Sequence, residues 1–191
     1  MARIAFDKPA VFLDRDGVLN RSEVRNGKPY APLKIEDFRL LPGVIGAVRA
    51  IKQAGFLVIV VTNQPDIGNG SVDPGVVDAM HEKLRRKVAV DDIRVCPHSQ
   101  NAGCECRKPK PGMLLQAARD WGIDLRRSVM IGDRWSDIVA GQAAGCYTIF
   151  LDRAYPETPE ISPDTTTYSL PLAVQHVLAR SDSFVQGAPR K

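Results

Sequence analysis

The sequence predicts an α/β protein: a doubly wound, Rossmann-like parallel sheet in a single domain. Three observations carry this. Runs apolar at every position, among them Ala10–Leu13, "FLVIVV" (56–61) and "VMIG" (129–132), read as strands buried on both faces. Segments of helical periodicity alternate with them. Polar residues then crowd just past the ends of the runs, where such sheets open their binding crevice.

The elements follow in order. Ala10–Leu13 is a short buried strand. "NGKPY" within 21–41 is turn-like. Residues 41–55 place Val44, Ala47, Val48 and Ile51 on one helical face, and Gly55 stops the helix. Residues 56–64 form the next strand and 74–89 a helix. A short strand is expected at 93–95. A helix follows from Pro111, tolerated in the first turn, to Trp121. Residues 128–133 form a strand, 135–144 a helix, and 146–151 a strand opening on a core cysteine, Cys146. The Pro- and Thr-rich stretch 156–167 reads as loop and 170–180 as a last helix. The expected domain is 1–180, with a loose tail over 181–191. Too little chain lies between elements for a separate cap, so loops 21–33, 65–72 and 96–106 shape the pocket.

A chain of 191 residues, 44% hydrophobic and 25% charged, suits one globular domain. Its net charge of +4 comes from scattered basic residues, which fits an anionic small molecule better than nucleic acid. No apolar run approaches the roughly 18 residues of a membrane span. The start shows no apolar stretch followed by a cleavage site, so a cytoplasmic monomer is expected, with no membrane partner.

Asp14 and Asp16 stand together at the end of a buried strand. Two like charges near 4 Å repel by about 4 kcal/mol at an effective dielectric near 20. A bound cation accounts for that arrangement. Thr62-Asn63-Gln64, Arg107-Lys108 and Asp133 with Asp137 mark three more such positions. Each taken singly has a bland reading as a cap or a solvated charge; together they mark a site. The chemistry that fits is phosphoryl transfer through an aspartyl-phosphate. An ionised carboxylate can attack phosphorus without a base, and Mg²⁺ on Asp14 and Asp133 brings it to an anionic phosphate. Lys108 adds positive charge, Thr62 a hydroxyl donor, and Asp16 general acid–base help.

Cys96, His98, Cys104 and Cys106 lie within "CPHSQNAGCEC" and supply the four ligands of a closed tetrahedral Zn²⁺ site. Its expected task is structural: a zinc-binding loop over 96–106 that holds the segment carrying Arg107 and Lys108.

"FLDRDGVLN", "VVTNQ", "CRKPKPGM" and "IGDRWSDIVAGQAAG" resemble, in order and spacing, the four motifs of the haloacid dehalogenase superfamily phosphatases. The similarity spans residues 9–152. Within the superfamily, the chain is most similar to the heptose-bisphosphate phosphatase and histidinol-phosphatase group. The resemblance implies Asp14 as nucleophile and Asp16 as general acid/base. It implies Thr62 and Lys108 as phosphate binders, Asn63 and Arg107 as substrate binders, and Asp133 as a Mg²⁺ ligand with the Asp16 backbone carbonyl. Asp137 matches an aspartate that steadies the site. The substrate class implied is a small phosphorylated sugar, best matched by D-glycero-D-manno-heptose 1,7-bisphosphate. Histidinol phosphate and a nucleic-acid 3′-phosphate are the enzyme alternatives, and a zinc-stabilised binding module the non-enzyme one. Arg107 and the basic stretch near Lys110 are the expected partners of a second phosphate. Two departures stand out: "TNQPDIGNG" carries Pro65, Asp66 and Asn69 where a small pair and an arginine are common, and the gap from His98 to Cys104 is short.

Overall fold

A computed structural model describes residues 6–156 and 162–181. The expected loose tail lies outside the described residues beyond 181, as does the 157–161 part of the expected loop.

Six parallel strands form the sheet: β1 (Ala10–Leu13), β4 (Leu57–Asn63), β5 (Asp92–Cys96), β6 (Val129–Gly132), β7 (Tyr147–Leu151) and β8 (Thr165–Thr167), in the order β5-β4-β1-β6-β7-β8. From β1 the chain winds outward through β4 to β5. It then returns past β1 to β6 and winds outward the other way. Register is set by apolar runs lying side by side, Val11 against both Val58 and Val129. All four residues of β1 are fully buried, as expected when helices cover both faces of a sheet.

Helices α1 (Val44–Gln53), α3 (Pro74–Arg85) and α6 (Leu170–Ala179) cover one face, where Val48, Ile51, Met80, Leu84 and Val174 pack on Val11, Leu13, Val58 and Ile131. Helices α4 (Gly112–Trp121) and α5 (Trp135–Ala144) cover the other, where Leu114, Ala117 and Ala140 pack on Phe12, Ile59 and Met130. Cys146 is buried in this second cluster. No helix among the described residues is long and apolar enough to cross a membrane.

Four segments depart from the sequence reading. The turn-like stretch is an antiparallel hairpin, β2 (Glu23–Arg25) with β3 (Lys28–Tyr30). Its two-residue turn, Asn26-Gly27, has positive φ at both positions (51° and 76°), the geometry whose twist matches a hairpin. Residues 65–68 form a single helical turn, α2 (Pro65–Gly68). Thr165–Thr167, expected as loop, pairs with β7 as an edge strand; β-branched residues suit it, and an edge needs no apolar face. The helix expected over 74–89 ends at Arg85. Between β1 and α1 lies only the hairpin and its flanks, so the fold has no separate cap domain among the described residues.

Candidate active site

Because the strands are parallel, their C-terminal ends share one edge. Asp14 follows β1, Thr62 and Asn63 end β4, and Asp133 follows β6. The Asp14 N–H donates to the Ile131 carbonyl (3.0 Å), so strand pairing continues into the site and fixes the backbone that carries Asp14.

Lys108 is the hub. Its Nζ lies 2.7 Å from Asp14 Oδ1, 2.6 Å from Asp137 Oδ1 and 2.7 Å from the Val61 carbonyl. An ammonium has three protons, and all three are placed. The side chain is 3% exposed. Burial works against its charge, but Asp137 and Asp14 outweigh it and raise its pKa above the ordinary lysine value. Asp137 is also fully used: its Oδ2 accepts from the Arg134 N–H at the start of α5 (3.0 Å). Asn63 reaches the backbone on either side of Lys108, donating from Nδ2 to its carbonyl (3.0 Å) and accepting at Oδ1 from its N–H (3.1 Å).

Asp133 differs. It is 2% exposed, and neither of its oxygens accepts a hydrogen bond of ordinary geometry among the described residues, although the Tyr155 hydroxyl lies close enough to interact with it. Burial, then the charges of Asp14 and Asp137, hold its carboxyl well above the usual carboxylate range. Burial likewise pushes Asp14 up to about 7, with Lys108 opposing and Asp137 and Asp16 adding to the rise. Carboxylate oxygens of Asp14, Asp133 and Asp137 all lie within 4.8 Å of one another. A buried carboxylate without a paired cation, beside a second carboxylate, is a poor structural element and a good hard-cation ligand. Gly17, at φ 86°, lies so close that a Cβ there would stand 1.9 Å from Asp133 Oδ2, so only glycine fits the turn after Asp16. Arg153, beyond β7, donates from Nε (3.0 Å) and Nη2 (2.7 Å) to the Gly17 carbonyl and pins that turn.

Asp16 points into the same cavity, and its carboxylate is held by Arg15 (2.9 Å), Asn20 Nδ2 (2.8 Å) and Gln64 Nε2 (2.7 Å). Arg15 is fully buried, stacks 5.7 Å from the Phe38 ring centre, and donates to His81 Nε2 (3.0 Å). Burial first, then the Arg15 charge, pushes His81 down to about 4, so it accepts as a neutral imidazole. Gln64 Nε2 also donates to Thr62 Oγ1 (2.8 Å), which leaves the Thr62 O–H to be donated elsewhere. Sequence reasoning gave Gln64, Asn20, Arg15 and His81 no role in the site. The first three lie in the quoted motifs, but nothing in the pattern of His81 ties it to Asp16.

The cavity holds about 420 Å³, within the range of small-molecule sites. Asp14, Asp16, Thr62, Asn63, Arg107, Lys108 and Asp133 all line it. Arg107 brings a buried Nη1 with no partner among the described residues. Lys110 is not among the lining residues; its ammonium lies against Glu105 (2.7 Å) and the Gly103 carbonyl (3.1 Å). The hairpin contributes Lys28, Pro29 and Tyr30, and α5 contributes Trp135.

On the flank of α4, Cys96, His98, Cys104 and Cys106 turn their donor atoms together. Cys96 Sγ lies 3.6 Å from both His98 Nδ1 and Cys104 Sγ, and Cys106 Sγ 3.2 Å from Cys96 Sγ and from His98 Nδ1. Four ligands around Zn²⁺ at about 2.3 Å put sulfurs roughly 3.8 Å apart, so these donors fit a closed tetrahedral site with a small adjustment. None of the four is in a disulfide.

Comparison with known proteins agrees with this geometry. A family model described as "HAD-hyrolase-like" matches residues 105–165. A D-glycero-beta-D-manno-heptose-1,7-bisphosphate 7-phosphatase of Rhodopseudomonas palustris is 39% identical over 150 residues, covering 72% of this chain and 80% of that one. The enzyme of the same name from Escherichia coli K12 is 39% identical over 165 residues, covering 80% and 83%. Among solved structures, the D,D-heptose 1,7-bisphosphate phosphatase of B. bronchiseptica, complexed with magnesium and phosphate, superposes with a TM-score of 0.78 at 30% identity, over 90% of this chain and 99% of that one. The chain therefore belongs to the haloacid dehalogenase-like phosphatases, and within them to the group of the heptose-bisphosphate phosphatases.

Proposed function

We propose that this phosphatase hydrolyses the 7-phosphate of D-glycero-D-manno-heptose 1,7-bisphosphate with Mg²⁺, through an aspartyl-phosphate on Asp14. The observation that carries the reading is the pairing of Asp14, clamped through one oxygen by Lys108, with Asp133, whose two buried oxygens accept no hydrogen bond of ordinary geometry and face no cation at contact distance among the described residues. The names of the relatives supply the substrate, and the magnesium-bound B. bronchiseptica structure supports the metal.

Asp14 and Asp133 would hold the ion with the Asp16 carbonyl, and the ion would supply positive charge that lets a carboxylate approach a phosphate. Asp14 attacks phosphorus and the bond from phosphorus to the sugar oxygen breaks. Asp16, in its acid form, gives its proton to that leaving oxygen. As a carboxylate it then takes a proton from water, whose oxygen attacks phosphorus. The acyl-phosphate P–O bond breaks, phosphate leaves, and Asp14 is restored. Lys108 orients Asp14 and adds charge beside the transferring group. Asn63 sets the Lys108 backbone, and Gln64 aims the Thr62 hydroxyl at a phosphate oxygen. Arg107, with an unpaired Nη1, grips the remote part of the substrate. The four-ligand Cys/His cluster holds Zn²⁺ structurally and stiffens the loop that ends at Arg107-Lys108.

The test is phosphate release from heptose 1,7-bisphosphate, heptose 7-phosphate and histidinol phosphate, with and without Mg²⁺. The expected result is Mg²⁺-dependent release, at least tenfold more efficient on the bisphosphate than on the monophosphate. Histidinol phosphate outrunning both sugars would overturn the substrate. Full activity in Mg²⁺-free buffer would overturn the metal.

A further inference from the structure

We propose that Lys28, on the β2–β3 hairpin, is a specificity-determining residue that forms with Arg107 the subsite for the substrate's non-transferred phosphate. The inference rests on the bisphosphate reading above and adds to it the second cation that reading needs.

Among the described residues, four cationic side chains line the cavity: Lys28, Arg107, Lys108 and Arg134. Lys108 has spent its three protons on Asp14, Asp137 and Val61. Arg134 begins α5 and acts on the charge of Asp133, so it sits at the reacting end. Asn69 and Lys110 offer nothing: Asn69 bonds to Gln100, and Lys110 is tied to Glu105 outside the cavity. Arg107 and Lys28 remain. The Lys28 ammonium enters no ion pair among the described residues.

The hairpin is built to present it. The tight Asn26-Gly27 turn fixes the register that sets Lys28 opposite Arg25. Arg25 is anchored on its own ribbon, bonded to Glu23 (2.9 Å from Nε) and lying 5.4 Å from the Tyr30 ring centre. Lys28, Pro29 and Tyr30 reach the cavity, while Glu23, Val24 and Arg25 do not. The ribbon thus carries a lysine that enters no ion pair among the described residues to the lining of the cavity. Asp66, also in the lining, is the one acid facing it from α2, and Arg25 lies close enough to feel that charge and offset it. A compact ammonium on a long stem suits a doubly charged phosphate whose position is set by the sugar's other end.

The test uses the full chain with Mg²⁺. Kinetics on heptose 1,7-bisphosphate and heptose 7-phosphate are compared for the parent, Lys28→Gln, Lys28→Arg and Lys110→Gln. Lys28→Gln should cut the bisphosphate preference about tenfold, chiefly by raising KM for the bisphosphate. Lys28→Arg should restore most of it, and Lys110→Gln should keep it. The parent's preference should also weaken with added salt, more steeply than that of Lys28→Gln. A Lys28→Gln enzyme that keeps the preference within twofold, or loses equally on both sugars, overturns the assignment of Lys28. A parent with no preference at all overturns the bisphosphate reading itself, and the subsite with it.

Discussion

Replacing Lys108 with methionine keeps most of the side-chain volume and removes the charge. It leaves Asp14 and Asp137, 7% and 1% exposed, without the cation that both contact, and it strands the Val61 carbonyl. Removing one partner of a buried ion pair costs about 3–5 kcal/mol, because the remaining charge stays buried. In a chain of this size each kcal/mol moves the melting temperature by about 2–4 °C, so the variant should melt roughly 6–20 °C below the parent. The scan belongs in Mg²⁺-free buffer, since a bound divalent ion would itself neutralise the orphaned carboxylates. Asp137→Asn in the same background removes one orphaned charge, so the double variant should be less destabilised than the sum of the singles, with a coupling on the order of 1–3 kcal/mol. A Lys108→Met protein melting within 2 °C of the parent, or strictly additive singles, would refute the reasoning that Lys108 is the electrostatic hub of the fold as well as of the site.

Asp14→Asn should fold normally and release no phosphate above background, because an amide is neither an anionic nucleophile nor a good Mg²⁺ ligand; turnover within tenfold of the parent would remove Asp14 from that role. Asp16→Asn should slow turnover by about 10²–10⁴-fold if it supplies acid–base help, as phosphate-release kinetics would show. Cys104→Ser should lower the melting temperature and the zinc content from about one ion per chain, read by metal analysis; a parent that purifies without zinc and is fully active would count against the structural site. His81, pushed down to about 4 in the folded chain against an ordinary 6.5, binds fewer protons folded than unfolded across that window. Its contribution is therefore complete above pH 6.5 and is lost as pH falls toward 4, on the order of 3 kcal/mol at 1.36 kcal/mol per pH unit. His81→Gln should flatten that part of the stability–pH curve, and an unchanged slope would show that other groups set it.

The parts of the fold legible in the sequence are those where burial on two faces dictates composition. β1, β4, β6 and β7 are apolar almost throughout because a polar group between helices and sheet needs a partner, as Thr148 has in Asp164. The hairpin escaped because Glu23, Val24 and Arg25 are all exposed, so no alternation marks them; only the Asn-Gly turn betrays it. β8 escaped because an edge strand of threonines has the composition of a loop. In the site, Asp14 and Asp16 announced themselves as charges that a strand end should avoid. Their supports did not. His81 meets Arg15 only because α3 packs where it does, and the spacing of Lys110 and Glu105 gives no sign of their ion pair.

The paired bonds between Asn63 and the Lys108 backbone act as a rung that a peptide unit would otherwise supply. With a metal on the Cys/His cluster they would fasten the intervening loop at two places, leaving residues 99–103 between His98 and Cys104 outside both. Length changes there should not propagate to the chemistry. Chain inserted or removed between those anchors would rebuild the rim around Gln100, which lines the cavity, while Lys108 stays fixed. That short span is accordingly the place to graft sequence when the aim is a new substrate on an unaltered phosphoryl-transfer engine.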